Sequence, residues 1–177
     1  MKIAISGPMG SGKSTIANMI KSGNDKYIIY SFGGKIKEIA YNLFNMNKNI
    51  KDRSLLINIA DKMREIDQDI WAKNIVKQIG DNPYCIIDDL RFQNELDILE
   101  KDDDWIYIVL QIDGQKRLDR LKSLYANNYH DHIKNMTHLS EQGNLRFKNK
   151  KKTLYIDSGD SLDNIKYNIE YFINKFK

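Results

Sequence analysis

With 177 residues, 41% of them hydrophobic and 29% charged, the chain has the length of one ordinary domain and enough apolar material for a substantial core. No apolar run approaches the roughly 20 residues of a membrane helix and no basic-then-apolar leader opens the chain, so a soluble, intracellular (cytoplasmic) protein without a membrane partner is expected. The net charge of +4, 28 basic against 24 acidic side chains, is matched by Lys148, Lys150, Lys151 and Lys152 alone, and without a basic stripe or interleaved aromatics it does not point to nucleic acid.

The first five residues after Met1, Lys2-Ile3-Ala4-Ile5-Ser6, form a short apolar run suited to a strand buried on both faces. Gly7-Pro8-Met9-Gly10-Ser11-Gly12-Lys13-Ser14-Thr15 follows, with the spacing G-x-x-x-x-G-K-S of a phosphate-cradling loop. Gly7, Gly10, Ser11, Gly12 and Thr15 make the candidate cradle, because glycines let backbone N–H groups converge on an anion. Lys13 is placed to reach the outer phosphates and the Ser14 hydroxyl to ligate Mg²⁺. Ile16, Ala17, Met19 and Ile20 continue at helical spacing, so a helix N-terminus points its unpaired N–H groups at the loop.

Lys21 to Asp25 reads as a turn, and Tyr27 to Phe32 as a second strand broken by Gly33-Gly34. Ile36, Ile39, Ala40, Leu43 and Phe44 then build one apolar helix face. Lys37, off that face, is either a surface lysine or a cation near the ligand end of the sheet. Two further helical pieces run from about Arg53 to Ile66 and from Ile70 to Ile79. The core sides are Leu55, Leu56, Ile59, Ala60 and Met63 in the first and Ala72, Ile75, Val76 and Ile79 in the second. Arg53 and Arg64 are the polar positions of interest, and Trp71 is either core or the wall of a substrate pocket.

Tyr84-Cys85-Ile86-Ile87 leads into Asp88-Asp89, the form expected where a central strand delivers an acid to a phosphate site. Two acids at the end of an apolar run need a cation or strong donors, and Mg²⁺ shared with Ser14 supplies one; the alternative is that they cap the next helix. Cys85, the only cysteine, reads as inert core. A short helix around Leu96 and Leu99 precedes a fourth strand, Trp105 to Ile112. Gln115 to Ala126 is amphipathic, with Leu118, Leu121, Leu124 and Tyr125 on one side, and residues 127–138 lose periodicity. That succession fits a closing lid whose Arg117 and Arg120 neutralise charge on a transferring phosphoryl group, against a plain helix with solvated cations. His130, His132 and His138 lack the spacing of a zinc pattern. Leu154 to Ile156 is the fifth strand, and a final core helix is capped by Asp160 or Ser161.

Several stretches together carry a resemblance. They are the Gly7–Thr15 loop, Phe32-Gly33-Gly34-Lys35-Ile36-Lys37, Asp88-Asp89-Leu90-Arg91-Phe92-Gln93-Asn94-Glu95-Leu96-Asp97, His138-Leu139-Ser140-Glu141 and Asp157-Ser158-Gly159-Asp160-Ser161-Leu162. In this order the chain resembles the P-loop deoxynucleoside-monophosphate kinases of phages and large DNA viruses, over nearly its whole length. It differs in being shorter between Gly34 and Trp71 and in having Asp88 beside Asp89.

The resemblance implies an α/β, three-layer P-loop kinase fold: one domain, residues 1–177, with a five-stranded parallel sheet flanked by helices. It implies a monophosphate-binding region at about 33–79, a lid at about 113–141, and allows a homodimer. Lys37, Arg53, Trp71, Asp89, Arg91 and Glu95 would line the monophosphate pocket, Glu141 would position lid or substrate, and Ser158 and Gly159 would lie near the adenine of ATP. The expected activity is γ-phosphoryl transfer from ATP, with Mg²⁺ at Ser14 and Asp88 or Asp89, to a deoxynucleoside monophosphate. Lys13, Arg91, Arg117 and Arg120 would stabilise the transferring group. A phosphomevalonate-type kinase is similar through the same stretches, and a P-loop ATPase acting on nucleic acid is the reading of a different class.

Overall fold

The computed structural model describes residues 1–47 and 52–176; residues 48–51, part of the expected 33–79 region, and Lys177 lie outside the described residues. In chain order the elements are β1 (Lys2–Ser6), α1 (Lys13–Gly23), β2 (Ile28–Tyr30), α2 (Gly33–Phe44), α3 (Arg53–Ile66) and α4 (Ile70–Ile79). There follow β3 (Cys85–Leu90), α5 (Gln93–Leu99), β4 (Trp105–Gln111), α6 (Gly114–Leu124), α7 (Tyr129–Lys134), β5 (Thr153–Asp157) and α8 (Leu162–Asn174), with 3-10 turns at Leu139–Glu141 and Lys150–Lys152.

The five strands form one sheet in the order β2-β3-β1-β4-β5, and each neighbouring pair is parallel. Strand side chains alternate between faces, which splits the core in two. Ala4, Ile87 and Tyr107 face Ile36, Ala40, Leu56, Ile75 and Leu96 from α2–α5. Ile3, Ile5, Ile86 and Ile108 face Ile16 and Ile20 of α1 and Ile165, Ile169 and Phe172 of α8. The result is the expected three-layer α/β arrangement. Because the chain leaves β1 for one side of the sheet and returns to it at β4, the C-terminal ends of β1 and β3 flank the crevice where such sheets bind ligands.

Local departures from the sequence pattern have physical causes. The second strand is only Ile28–Tyr30, because Phe32 already takes a right-handed helical conformation (φ −57°, ψ −39°) and opens α2. Leu43 and Phe44 are exposed rather than inward: α2 runs off the sheet there and reverses at Asn45 with φ 51°. Val76 is 46% exposed because the buried set of α4 is Trp71, Ala72, Ile75 and Ile79, which leaves it at the margin of the apolar stripe. The segment read as aperiodic contains the six-residue helix α7. Cys85 is fully buried, and burial pushes its thiol up to about 12. Ser161 caps α8 through its side chain. Among the described residues no helix is long and apolar enough to cross a membrane.

Candidate active site

The loop between β1 and α1 lies at the C-terminal end of the central strand. Gly12 holds φ 90°, and Gly7 (φ 149°) faces β4 so closely that an added Cβ would stand 2.8 Å from the Leu110 carbonyl oxygen. Glycine is required at both for that reason. Lys13 is buried, and its Nζ donates to the carbonyl oxygens of Gly7 and Pro8, both at 2.7 Å. Burial, and next the charge of Arg91, bring its ammonium well below the usual lysine range.

The paired acids divide the work between them. Asp88 Oδ2 accepts from Ser14 Oγ at 2.8 Å. Asp89 turns the other way and takes Ser31 Oγ at 2.7 Å, Phe32 N at 2.8 Å and Gly33 N at 2.9 Å, so it clamps the start of α2. Burial, then repulsion from Asp89, raise the Asp88 acid. A hydroxyl and an undercompensated carboxylate side by side fit Mg²⁺, a hard cation that takes one or two protein oxygens and completes its shell with water and phosphate. Asp88, rather than Asp89, stands beside Ser14.

Three arginines, from α3, the β3–α5 junction and α6, meet on Glu141, whose side chain has no exposed surface. Its Oε1 accepts from Arg53 Nη2 at 2.7 Å and Arg91 Nη1 at 2.5 Å, and its Oε2 from Arg117 Nη2 at 2.6 Å and the Met9 backbone N–H at 2.7 Å. Burial alone would raise this acid; Arg91 foremost, then the Met9 N–H and Arg53, outweigh it and hold the carboxyl below its ordinary value. Arg91 Nη1 also donates to the Ser140 carbonyl at 2.8 Å, and Arg117 Nε to that of Met9 at 2.9 Å. Three guanidinium groups on one carboxylate leave two positive charges uncompensated within this cluster, against the glycine loop. The buried Arg53 Nε has no hydrogen-bond partner among the described residues.

Arg53 and Arg91 border a cleft of about 360 Å³, whereas Glu141 and Arg117 stand behind them and do not line it. Lys13, Ser14 and Asp88 lie on its walls, as do Lys37, Arg53, Asp89, Arg91 and Glu95. Glu95 is 2% exposed. It accepts from the backbone N–H groups of Arg91 at 3.0 Å and Phe92 at 3.1 Å, and burial pushes its acid up to about 7. Trp71 is a correction to the substrate-pocket reading: it is buried in the core, donates Nε1–H to the Ala60 carbonyl at 3.1 Å and does not border the cleft.

Arg117 and Arg120, paired in the sequence reading, part company. Three residues apart on α6, Arg117 reaches Glu141 while Arg120 Nη2 donates to the Ser158 carbonyl at 2.7 Å and Nη1 approaches that of Gly10 at 3.4 Å. Gly159 lies beside Asp157, whose Oδ1 accepts its N–H at 2.7 Å. Helix α7 is tied both to the start of α3 and to the glycine loop. Asp131 of α7 accepts from Arg53 N at 2.6 Å and Ser54 N at 3.2 Å, while His132 sets Nδ1 2.9 Å from Met9 Sδ and stacks on Tyr125 at 3.8 Å between centroids. Asp61, Phe92, Tyr125 and His138 also border the cleft and were not singled out as site residues from sequence. Asp61 falls at i+8 from Arg53 and three residues before Arg64, the two polar positions already named on α3, so projecting the helix between them would have found it.

A parallel sheet with this strand order, a glycine loop opening onto a helix N-terminus and an acid on the adjacent strand define a P-loop nucleotide-binding protein of the kinase fold. The chain belongs to the AAA domain family, whose model matches residues 3–142. A search of curated proteins gives no match. Among solved structures the chain is similar to a gluconokinase from Sinorhizobium meliloti 1021, with 13% identity, a TM-score of 0.63 and coverage of 98% of this chain and 91% of that one. It is similar to the shikimate kinase of Aquifex aeolicus (13% identity, TM-score 0.52, 99% and 97% covered). The APS kinase of Mycobacterium tuberculosis, solved with AMPPNP and APS, gives 15% identity, a TM-score of 0.56 and coverage of 98% and 96%.

Proposed function

We propose that this chain transfers the γ-phosphoryl group of ATP to the phosphate of a deoxynucleoside monophosphate, releasing ADP and a deoxynucleoside diphosphate. The observation that carries the reading is the meeting of Arg53, Arg91 and Arg117 on Glu141 beside Met9 of the glycine loop. Such an excess of guanidinium forks suits a second phosphate placed opposite the first. The kinase names of the structural neighbours support phosphoryl transfer to a small molecule, although their names do not agree on an acceptor. The deoxynucleotide acceptor rests on the sequence resemblance.

In this reading the loop amides and Lys13 hold the donor's β- and γ-phosphates, Lys13 exchanging its Gly7 and Pro8 carbonyl partners for phosphate oxygens. Mg²⁺ at Ser14 and Asp88 would supply charge neutralisation between donor phosphates. Arg53 and Arg91 grip the acceptor phosphate, Arg117 spans the two, and Arg120 with Ser158 and Gly159 borders the adenine. An acceptor oxygen attacks the γ-phosphorus as the bond to the ADP oxygen breaks. That oxygen is already anionic, so no strong base is needed and in-line placement with charge neutralisation suffices. This agrees with the commitments of the nearby carboxylates, Asp88 to Ser14 and Asp89 to the start of α2.

The test is ADP release in a coupled assay with dTMP, dGMP, dCMP, dAMP, their ribose counterparts, phosphomevalonate, DNA or RNA. Release that depends on a deoxynucleoside monophosphate, and that falls by roughly two or more orders of magnitude in Lys13→Ala, is expected. Release driven only by phosphomevalonate or by nucleic acid, or undiminished in the variant, would refute the reading.

A further inference from the structure

The cleft continues past the arginines. Along α3 it is bordered by Arg53, Leu56, Ile57, Ala60, Asp61 and Arg64, all on one helical face. Eleven residues of helix rise about 16 Å, so this wall runs from the phosphate grip at its N-terminal end, across an apolar stretch, to a polar pair at its far end. There Asp61 Oδ1 accepts from Arg64 Nη1 at 3.2 Å, and Oδ2 is 3.0 Å from His138 Nε2. His138 Nδ1 accepts the Ser140 N–H at 3.2 Å, which leaves Nε2 as the proton-bearing nitrogen that donates to Asp61. Arg64 Nη2 stands 3.4 Å from Glu95 Oε1, and the guanidinium carbon lies 3.9 Å from the centroid of the Phe92 ring, which backs it.

A carboxylate offers about four lone-pair positions and a guanidinium five N–H groups. The contacts named here use two of each, and both side chains border the cleft. We infer that Asp61 and Arg64 read the base of the acceptor and select guanine, an inference that rests on the nucleoside-monophosphate reading above. Guanine carries two adjacent donors, N1–H and the 2-amino group, which one carboxylate can accept together. Beside them its O6 and N7 are the pair of acceptors that a guanidinium fork takes. Adenine, cytosine and thymine do not present two adjacent N–H donors next to such an acceptor pair. The acceptor's phosphate lies at Arg53, its sugar against Leu56, Ile57 and Ala60, and its base at Asp61 and Arg64.

The test is kcat/KM for dGMP, dIMP, dAMP, dTMP and dCMP with the wild-type chain, Asp61→Asn and Arg64→Met. dIMP lacks the 2-amino group and so removes one of the donors for Asp61 without altering the protein. The expected result is dGMP ahead of dIMP by roughly ten- to hundredfold, the worth of one hydrogen bond to a charged group. In Asp61→Asn that ratio shrinks towards one through KM, whereas Arg64→Met weakens dGMP and dIMP together relative to dCMP. A wild-type ratio near one, or Asp61→Asn lowering all five acceptors by one factor, would overturn the base reading and leave the kinase intact. Absence of ADP release with all five would instead overturn the proposed function itself.

Discussion

Glu141 shows how little of a site one residue type discloses. In the sequence it is one acid among 24; in the fold it is a buried carboxylate holding three arginines and a glycine-loop amide. Removing one partner of a buried charged cluster costs about 3–5 kcal/mol, because the others lose their compensation. Glu141→Ala is therefore expected to lower Tm markedly, and inorganic phosphate or sulfate to restore more stability in the variant than in the wild type. An equal response to the anion in both would argue against an anion site there. Glu95 makes a separate prediction. Its acid is raised from 4.5 to about 7, so its neutral form favours the fold. The stabilisation is full below about 4.5 and lost as pH rises through about 7. Unfolding by denaturant across that range should show a decline that Glu95→Gln flattens; parallel curves would contradict it. Lys13 and Ser14 were legible from spacing alone because the loop chemistry is local, whereas the partners of Glu141 lie 24 to 132 positions away.

At the scale of elements, α3 was readable end to end from its apolar period, and so were α1, α4 and α8. Helix α7 was not, because six residues cannot show a period and its support is tertiary: Asp131 reaches the first N–H groups of α3, and His132 packs on Met9 and Tyr125. The apolar end of α2 was misread for the opposite reason, since periodicity cannot show where a helix leaves the sheet. Asp131 serves α3 as a capping acceptor supplied from α7, alongside the N-cap Asp52. Asp131→Ala should cost about 1 kcal/mol of stability, the worth of a lost cap. It should also raise KM for the acceptor more than for ATP, because Arg53 stands on the first turn of α3. A change in the ATP constant alone would contradict that placement.

At the scale of the molecule, apolar runs and helical periods located the strands and helices, while the parallel five-stranded α/β architecture came from the resemblance. The lid was an expectation from the basic helix and the aperiodic stretch after it, and the acceptor half one from the resemblance. Neither pattern nor resemblance could show that α3, the β3–α5 junction and α6 each send one arginine to a common carboxylate, because that convergence depends on the strand order β2-β3-β1-β4-β5. The resulting claim is that two anion sites face each other across one cleft, the glycine loop with Lys13 and the arginine cluster. Calorimetric binding of adenosine joined to a deoxynucleoside through five phosphates tests it most directly, since one molecule then spans both sites. The account predicts binding roughly a hundredfold or more tighter than ATP, the gain of linking two sites, with the advantage lost in Arg53→Ala. An affinity no greater than that of ATP would contradict it.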